Sequence, residues 1–427
     1  MTILPIKRTT IFALLVAALH LLALQAASAA PQRPPNIIFI LADDLGLDCV
    51  SAYGADQMKT PQIDALARGG TRFEYSYANP LCGPSRSQIL TGRYPFRTGM
   101  TSNQSGNVLQ PANEIMLPRV LKPQGYVTAA VGKWNQIPLL PKDWGFDESF
   151  SYPKSGGYWR KHTPSYRVNG DKKELPEGTY LPDLMHDFLI DFIGRHKDQP
   201  FYVHYAMTHV HTPIVRTPDS GPGRHHLYAD NIAYMDKLVG KLVAELDRLS
   251  LRENTLIVFV GDNGTARKPA QRLTLQHRSI DGMKSSMLEG GSRVPLIVNW
   301  PGTTPGGRVC HDLTDFSDFF PTFAALAGAR LPEGVTIDGH SFAPQIRGET
   351  GDPRQWVYVE LQGRRYVASK RWKLNASGEL FDMKDAPFKQ IPVAPDTADP
   401  EAIAGRKQLR DVMDRLVKNK TAPGKQP

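Results

Sequence analysis

Asn36-Ile37-Ile38-Phe39-Ile40-Leu41 runs straight into Ala42-Asp43-Asp44-Leu45-Gly46. A short apolar run rich in β-branched side chains, with no polar alternation, predicts a strand buried on both faces. Two acids then stand at its carboxyl end. Apolar runs of the same length return at 126–131, 201–206, 256–260 and 295–299, and helical patterns lie between them at 61–68, 183–195, 229–249 and 315–327. Alternation of this kind predicts an α/β fold, with a large and mostly parallel sheet flanked by helices. Residues 152–178, rich in Gly, Pro, Tyr and Lys, interrupt the pattern and predict an irregular insertion able to shape a substrate cleft. Tyr158, Trp159 and Tyr166 within it could stack on sugar rings or serve packing equally well. After about Asp338 the pieces become short and strand-like, at 356–361, 365–368 and 372–374, which predicts a small antiparallel sheet ahead of a closing helix. The Lys-rich tail from Asn419 is expected to fray.

The chain ends and the charge narrow the context. Lys7 and Arg8, an apolar run at 11–24 and Ala27-Ser28-Ala29 form the charged, apolar and small-residue parts of a secretory signal, so residues 1–29 are expected to be removed. The apolar run is shorter than the roughly 20 residues a membrane-spanning helix needs. Export to the periplasm or medium, with no stable membrane anchor, is the expectation. The formal charge of +9 loses two with the signal, leaving the mature chain near +7, which suits an anionic substrate. There is no dense basic run with interleaved aromatics, and no zinc-finger or helix-turn-helix pattern, so nucleic acid is not an expected partner. Three cysteines in an exported chain leave Cys49 and Cys310 as a disulfide or as two buried thiols, with Cys82 set apart.

Ligands of open α/β sheets bind beyond the carboxyl ends of the strands. The first strand delivers Asp43 and Asp44 there, and the run at 256–260 delivers Asp262 and Asn263. Three carboxylates and a carboxamide are hard oxygen donors, suited to Ca²⁺ or Mg²⁺ and not to a thiolate-preferring metal. Adjacent acids in a closed site would otherwise repel.

Cys82-Gly83-Pro84-Ser85-Arg86, continued by Thr91-Gly92-Arg93, resembles the C-x-P-S-R-x-x-x-x-T-G-R signature of the type I sulfatases. In that family a dedicated formylglycine-generating enzyme oxidises the cysteine to formylglycine. A residue entering a helix also faces unpaired N–H groups and a positive dipole end, both favourable to a bound sulfate. The resemblance continues in Gly132-Lys133-Trp134, in His211-Thr212-Pro213, and in Lys284 with the Glu289-Gly290-Gly291-Ser292-Arg293-Val294-Pro295 block. Gly145-Phe146-Asp147, Asp318-Phe319-Phe320-Pro321-Thr322 and Glu379-Leu380-Phe381-Asp382-Met383 extend it over essentially the whole mature chain. It implies an alkaline-phosphatase-like sandwich, with a catalytic domain at 30–337 and a small C-terminal subdomain at 338–427.

The resemblance also implies a chemistry. Ca²⁺, in preference to Mg²⁺, would be held by Asp43, Asp44, Cys82 as formylglycine, Asp262 and Asn263. The hydrated aldehyde would attack sulfur, with Asp262 helping to take its proton. Arg86, Lys133 and Lys284 would neutralise the sulfuryl oxygens while His211 protonates the departing alcohol, leaving a covalent sulfate ester. His204 and His209 lack the His211 context and read as structural. The substrate implied is a sulfated small molecule or glycan.

One position departs from the family pattern. Asn135 stands where a histidine follows Gly-Lys-Trp and serves as the base that releases sulfate. Asparagine has no useful basicity near neutral pH. Solvent or His162 are the substitutes the sequence offers. Two other functions stay open at this point: a phosphodiesterase or phosphonate monoester hydrolase of the same superfamily, and an inactive carbohydrate-binding homologue.

Overall fold

The strand that opens the sequence argument lies near the middle of a ten-stranded sheet. A computed structural model describes residues 33–105, 108–223 and 226–421; the signal segment read at 1–29 lies outside them. The strands are β1 (Asn36–Ala42), β2 (Thr71–Tyr77), β3 (Val127–Lys133), β4 (Glu148–Tyr152), β5 (Ser165–Val168), β6 (Asp171–Glu174), β7 (Phe201–Ala206), β8 (Thr255–Gly261), β9 (Leu296–Asn299) and β10 (Arg308–Asp315). Their order is β10-β2-β9-β8-β1-β7-β3-β4-β5-β6. β1 pairs in parallel with β7 and β8, and β3 with β7 and β4, while β9 runs antiparallel between β2 and β8. The α/β reading therefore holds, with antiparallel strands β9, β5 and β6 completing a mostly parallel sheet.

Burial on both faces explains the unbroken apolar runs. Ile37, Phe39 and Leu41 face one core, shared with Phe319, Phe320 and Phe323 of the helix Phe319–Leu326. Ile38 and Ile40 face the opposite core, against Leu189 and Phe192 of the helix Leu181–Arg195 and Leu238 and Leu242 of the helix Leu227–Arg248. Successive side chains of a strand alternate faces, so both layers need apolar residues.

The insertion is more ordered than the sequence suggests. Within 152–178, β5 and β6 form a hairpin that extends the sheet beyond β4. Asn169 and Gly170 both take positive φ, 51° and 96°, as a two-residue turn matched to strand twist requires. Polar exposed residues in β6 hide the alternation that would have announced it. The aromatics here serve packing: Tyr158 is fully buried and donates to Thr208 O at 2.7 Å, Trp159 packs on Tyr180, and Tyr166 stacks on Phe150 at 4.6 Å. The helix expected at 315–327 is also split. A 3₁₀ turn at Phe316–Asp318 comes first, because Asp315 accepts from Ser317 N and Asp318 from Asp315 N.

The C-terminal sheet comprises β11 (Val357–Leu361), β12 (Arg364–Ala368), β13 (Trp372–Asn375), β14 (Leu380–Asp385) and β15 (Lys389–Val393), paired antiparallel in chain order. One face packs Val367, Leu374 and Leu380 against Leu409, Val412 and Leu416 of the helix Pro400–Thr421. The other packs Val359 and Tyr366 against Tyr77 and Leu313 of the large sheet. That helix continues two residues past Asn419, where fraying is expected; residues 422–427 lie outside those described. Among the described residues no helix is long and apolar enough to cross a membrane. Cys49 and Cys310 are both free and buried, so of the two readings of this pair the structure has thiols and not a disulfide.

Candidate functional site

Sheet order decides what meets at the end of β1. The loops leaving β7 and β8 flank the one leaving β1, and β3 lies one strand further on. Those four strand ends carry His211, Asp262 with Asn263, Asp43 with Asp44, and Lys133. Asp43 N donates to His209 O at 2.7 Å and Asp44 N to Asp262 Oδ1 at 3.0 Å, so the acidic loop is fixed on both sides. Asp44 sits at φ 60°, a left-handed conformation that Asp tolerates better than most residues.

Lys133 reaches the cluster because Gly132 lets its strand pass close to β7. Gly132 has φ 115°, and a Cβ there would stand 2.0 Å from Ala206 O. Gly132→Ala is therefore expected to cost more than about 3 kcal/mol, combining a disfavoured φ with a backbone clash. Chemical denaturation would measure it, and a loss below about 1 kcal/mol would contradict this account. Gly264 plays a related part, since a Cβ on it would meet Gly290 O at 1.7 Å. The Asp-Asn-Gly and Glu-Gly-Gly segments thus need glycines for mutual contact.

The nucleophile candidate arrives from outside the central strands. Cys82 opens the helix Cys82–Thr91, every residue of which is buried, and Gly92 ends it in the left-handed conformation. Leu81 offers no side-chain cap; Asn103 Oδ1 accepts the Gly83 N–H at 2.8 Å instead. Ser285 N donates to Pro80 O at 2.7 Å, and Lys284 N to Thr265 O at 2.9 Å, which draws the Lys284 loop over the same point.

Inside the cluster, cations and carboxylates alternate. Lys133 Nζ lies 2.8 and 2.7 Å from the two oxygens of Asp43. Arg86 grips Asp262 Oδ2 through Nε at 3.0 Å and Nη2 at 2.8 Å. Lys284 pairs with Asp44. Cys82 Sγ is 3.5 Å from Asp43 Oδ1 and 3.8 Å from Asp44 Oδ1. His211 stands at the solvent side, about one-fifth exposed, with Nε2 3.7 Å from Asp44 Oδ2. Burial alone would raise the pKa of Asp43, but Lys133 and Arg86 hold it below the usual carboxylate range. Burial, followed by the charge of Asp262, pushes the Cys82 thiol far up, with Lys133 opposing.

Several residues could hold a metal. Ligand atoms of Asp43, Asp44, Cys82 and His211 all lie within 4.8 Å of one another. Asn263 is fully buried, its Nδ2 donates to Asp44 Oδ1 at 2.9 Å, and its Oδ1 has no hydrogen-bond partner among the described residues. An orphaned buried carboxamide oxygen beside three carboxylates fits a hard cation. The carboxylates of Asp43, Asp44 and Asp262 and the cations Arg86, Lys133 and Lys284 sum to zero. A divalent ion would leave the centre positive.

All nine sequence-derived site residues, Asp43, Asp44, Cys82, Arg86, Lys133, His211, Asp262, Asn263 and Lys284, thus fall in one cluster. Asn135 and His162 are both exposed, and His162 packs over Gly157. His204 is stacked on Phe39 and burial pushes its pKa down to about 3; His209 is bonded to Tyr180 and is lowered to about 3 for the same reason. Sequence reading missed Thr265, whose hydroxyl accepts from Gly46 N at 3.1 Å and donates to Asp48. That contact ties the loop after β1 to the loop after β8. No spacing rule reveals it, because its partners lie more than two hundred residues away.

The sulfatase family model matches residues 35–329, and a model described as N-sulphoglucosamine sulphohydrolase, C-terminal, matches residues 277–390. N-acetylgalactosamine-6-sulfatase of Canis lupus familiaris is 35% identical over 353 residues, covering 75% of this chain and 67% of that protein. Arylsulfatase A of Homo sapiens is 34% identical over 402 residues, covering 82% and 76%. The crystal structure of Ps i-CgsB in complex with k-i-k-neocarrahexaose superposes with a TM-score of 0.77 at 28% identity, over 91% of this chain and 93% of that one.

Proposed function

Because this chain belongs to the sulfatase family and is a sulfuric ester hydrolase, we propose that it releases sulfate from sulfated carbohydrate, with Cys82 supplying the nucleophile as formylglycine. The observation that carries the reading is the single buried cluster of Cys82 with three carboxylates and three cations. It is supported by N-acetylgalactosamine-6-sulfatase, named for a sulfated amino sugar, and by Ps i-CgsB, whose structure is a complex with k-i-k-neocarrahexaose. The test is direct. The purified protein should release sulfate catalytically from sulfated galactose or N-acetylgalactosamine, and the peptide containing position 82 should carry an aldehyde. Retention of an unmodified cysteine with no turnover would favour an inert binding protein; a preference of orders of magnitude for phosphodiesters would point to the other hydrolase reading.

In this proposal Arg86, Lys133 and Lys284 face the sulfuryl oxygens, where fixed positive charge in a water-poor site stabilises charge developing in the transition state. Asp262, held in place by Arg86, accepts the proton of the attacking hydroxyl. His211, at the open side of the cluster, gives a proton to the departing alcohol. His211→Ala should therefore lower kcat by about 10²–10³ for alkyl sulfates and by much less for aryl sulfates with acidic leaving groups. Equal losses on both would remove the acid role.

Ca²⁺ is the cation we assign to Asp43, Asp44, Asp262, Asn263 and position 82, where it would supply Lewis acidity for the nucleophile and for sulfate. Chelation is expected to abolish turnover and lower the melting temperature, and added Ca²⁺ to restore both. A melting temperature indifferent to Ca²⁺ in the chelated protein would sink the assignment. Asn135 is exposed and supplies no base, so we propose that solvent takes the proton in the step that frees sulfate. The signal-like residues 1–29 support export to the periplasm or medium, and maturation by a formylglycine-generating enzyme as partner. We also keep 30–337 as the catalytic domain and 338–427 as the subdomain, since the five-stranded sheet and its helix lie inside the latter bounds.

A further inference from the structure

Beside His211 the surface opens into a cleft of about 1160 Å³, above the roughly 300–1,000 Å³ usual for small-ligand sites. Its walls come from the segments that build the catalytic cluster. Thr212, Pro213 and Ile214 continue directly from His211, and Lys268, Arg272 and Leu273 follow the loop of Asp262 and Asn263. The third wall is the start of the helix Leu227–Arg248, with Leu227 and Tyr228; the Tyr228 hydroxyl turns inward to Cys49 Sγ at 3.3 Å. The cleft therefore borders both the loop that carries His211 and the loop that follows Asp262 and Asn263.

Two properties of the lining define its occupant. Pro213, Ile214, Leu227, Leu273 and the Tyr228 ring are apolar surfaces of the kind that pack on the C–H faces of pyranose rings. Among the described residues the permanent charges of the lining are all positive, with no acidic side chain in it. The Lys268 ammonium and Arg272 guanidinium are exposed and have no ion-pair or hydrogen-bond partner among the described residues. Some exposed cations elsewhere on the surface are paired, as Lys237 with Asp219 and Arg278 with Asp385, whereas these two are left open to a ligand. Two unpaired cations over an apolar floor suit a ligand with both sugar faces and negative charge.

We propose that this cleft receives the leaving-group side of a sulfated oligosaccharide, and that Lys268 and Arg272 recognise a second anionic group, sulfate or carboxylate, on the sugar next to the one that loses sulfate. The assignment rests on the function proposed above. It makes the enzyme selective for densely sulfated or uronate-containing chains over singly sulfated monosaccharides.

Binding can be read apart from catalysis in the Cys82→Ala protein, which should leave esters intact. Calorimetry would compare a galactose disaccharide bearing one sulfate with the same disaccharide bearing a second sulfate on the adjoining sugar. The second sulfate is expected to tighten Kd about tenfold, as two exposed charge contacts allow, and to do so less as NaCl is raised. In K268A/R272A that ratio should fall to about one, and in K268E/R272E below one. A ratio near one in the parent protein, or a tenfold ratio that survives in both variants, overturns the proposal. Failure of the wild-type enzyme to release sulfate from any ester would instead overturn the function, while the Kd ratio still decides the cleft.

Discussion

Replacing Cys82 with alanine should reduce kcat/KM for any sulfate ester by at least about 10⁴-fold while leaving the protein folded. Both halves of that expectation come from geometry. Cys82 is fully buried, with Sγ 3.5 Å from Asp43 Oδ1 and 3.8 Å from Asp44 Oδ1, so its position is where a nucleophile would be presented to the cations of the cluster. Truncating the buried side chain at position 82 to a methyl group costs on the order of 1 kcal/mol, against a total stability of about 5–15 kcal/mol for a typical domain. The helix start does not depend on the thiol, because Asn103 supplies the cap. Steady-state kinetics and a melting curve on the same preparation test the pair of claims. Activity within tenfold of wild type would remove Cys82 from the reaction, and a collapsed melting transition would make any activity loss uninformative.

Arg86→Ala is expected to have the largest effect on stability, about 3–5 kcal/mol, because it strands Asp262 as a buried unpaired charge. Arg86 is 2% exposed and holds Asp262 Oδ2 through two nitrogens, with Asp43 Oδ1 3.7 Å away. Asp43 would lose one of the two cations that keep its pKa low. Ca²⁺ should recover part of the loss, since a divalent ion neutralises the same carboxylates, whereas Arg86→Lys keeps the charge but not the two-nitrogen grip and should fall between. Urea denaturation of the wild type and both variants, each with chelator and with Ca²⁺, measures all of these differences. A loss below about 1 kcal/mol in chelator would mean that solvent or a rearranged lysine already compensates Asp262.

How far the site was legible follows from how each residue is encoded. The acids after β1 and β8 were readable because each ends an apolar run, and strand ends are where a parallel sheet places its ligands. Cys82, Arg86, Lys133, His211 and Lys284 were readable only by resemblance. Lys284 occupies a loop without period, and His211 follows a strand that also bears His204 and precedes His209. Residues 152–178 went wrong for the opposite reason: the Asn169-Gly170 turn signal was present, but exposed Lys172, Lys173 and Glu174 obscured the strand beside it. The insertion aromatics could not be assigned from sequence, since stacking on a ligand and stacking on Phe150 or Tyr180 call for the same residues.

By itself, then, the sequence determined the class of fold and the acidic strand ends, and it carried the family signature that begins at Cys82, because each is written in a contiguous stretch whose pattern or motif is local. Tertiary structure alone decided which cation meets which carboxylate, that Asn135 is exposed, and that, among the described residues, Asn263 Oδ1 lacks a partner and unpaired Lys268 and Arg272 border a cleft next to the His211 loop. The physical reason is sheet order. β7, β1 and β8 are neighbours although their residues are far apart in the chain, and contacts made across strands leave no period or spacing in the sequence that encodes them.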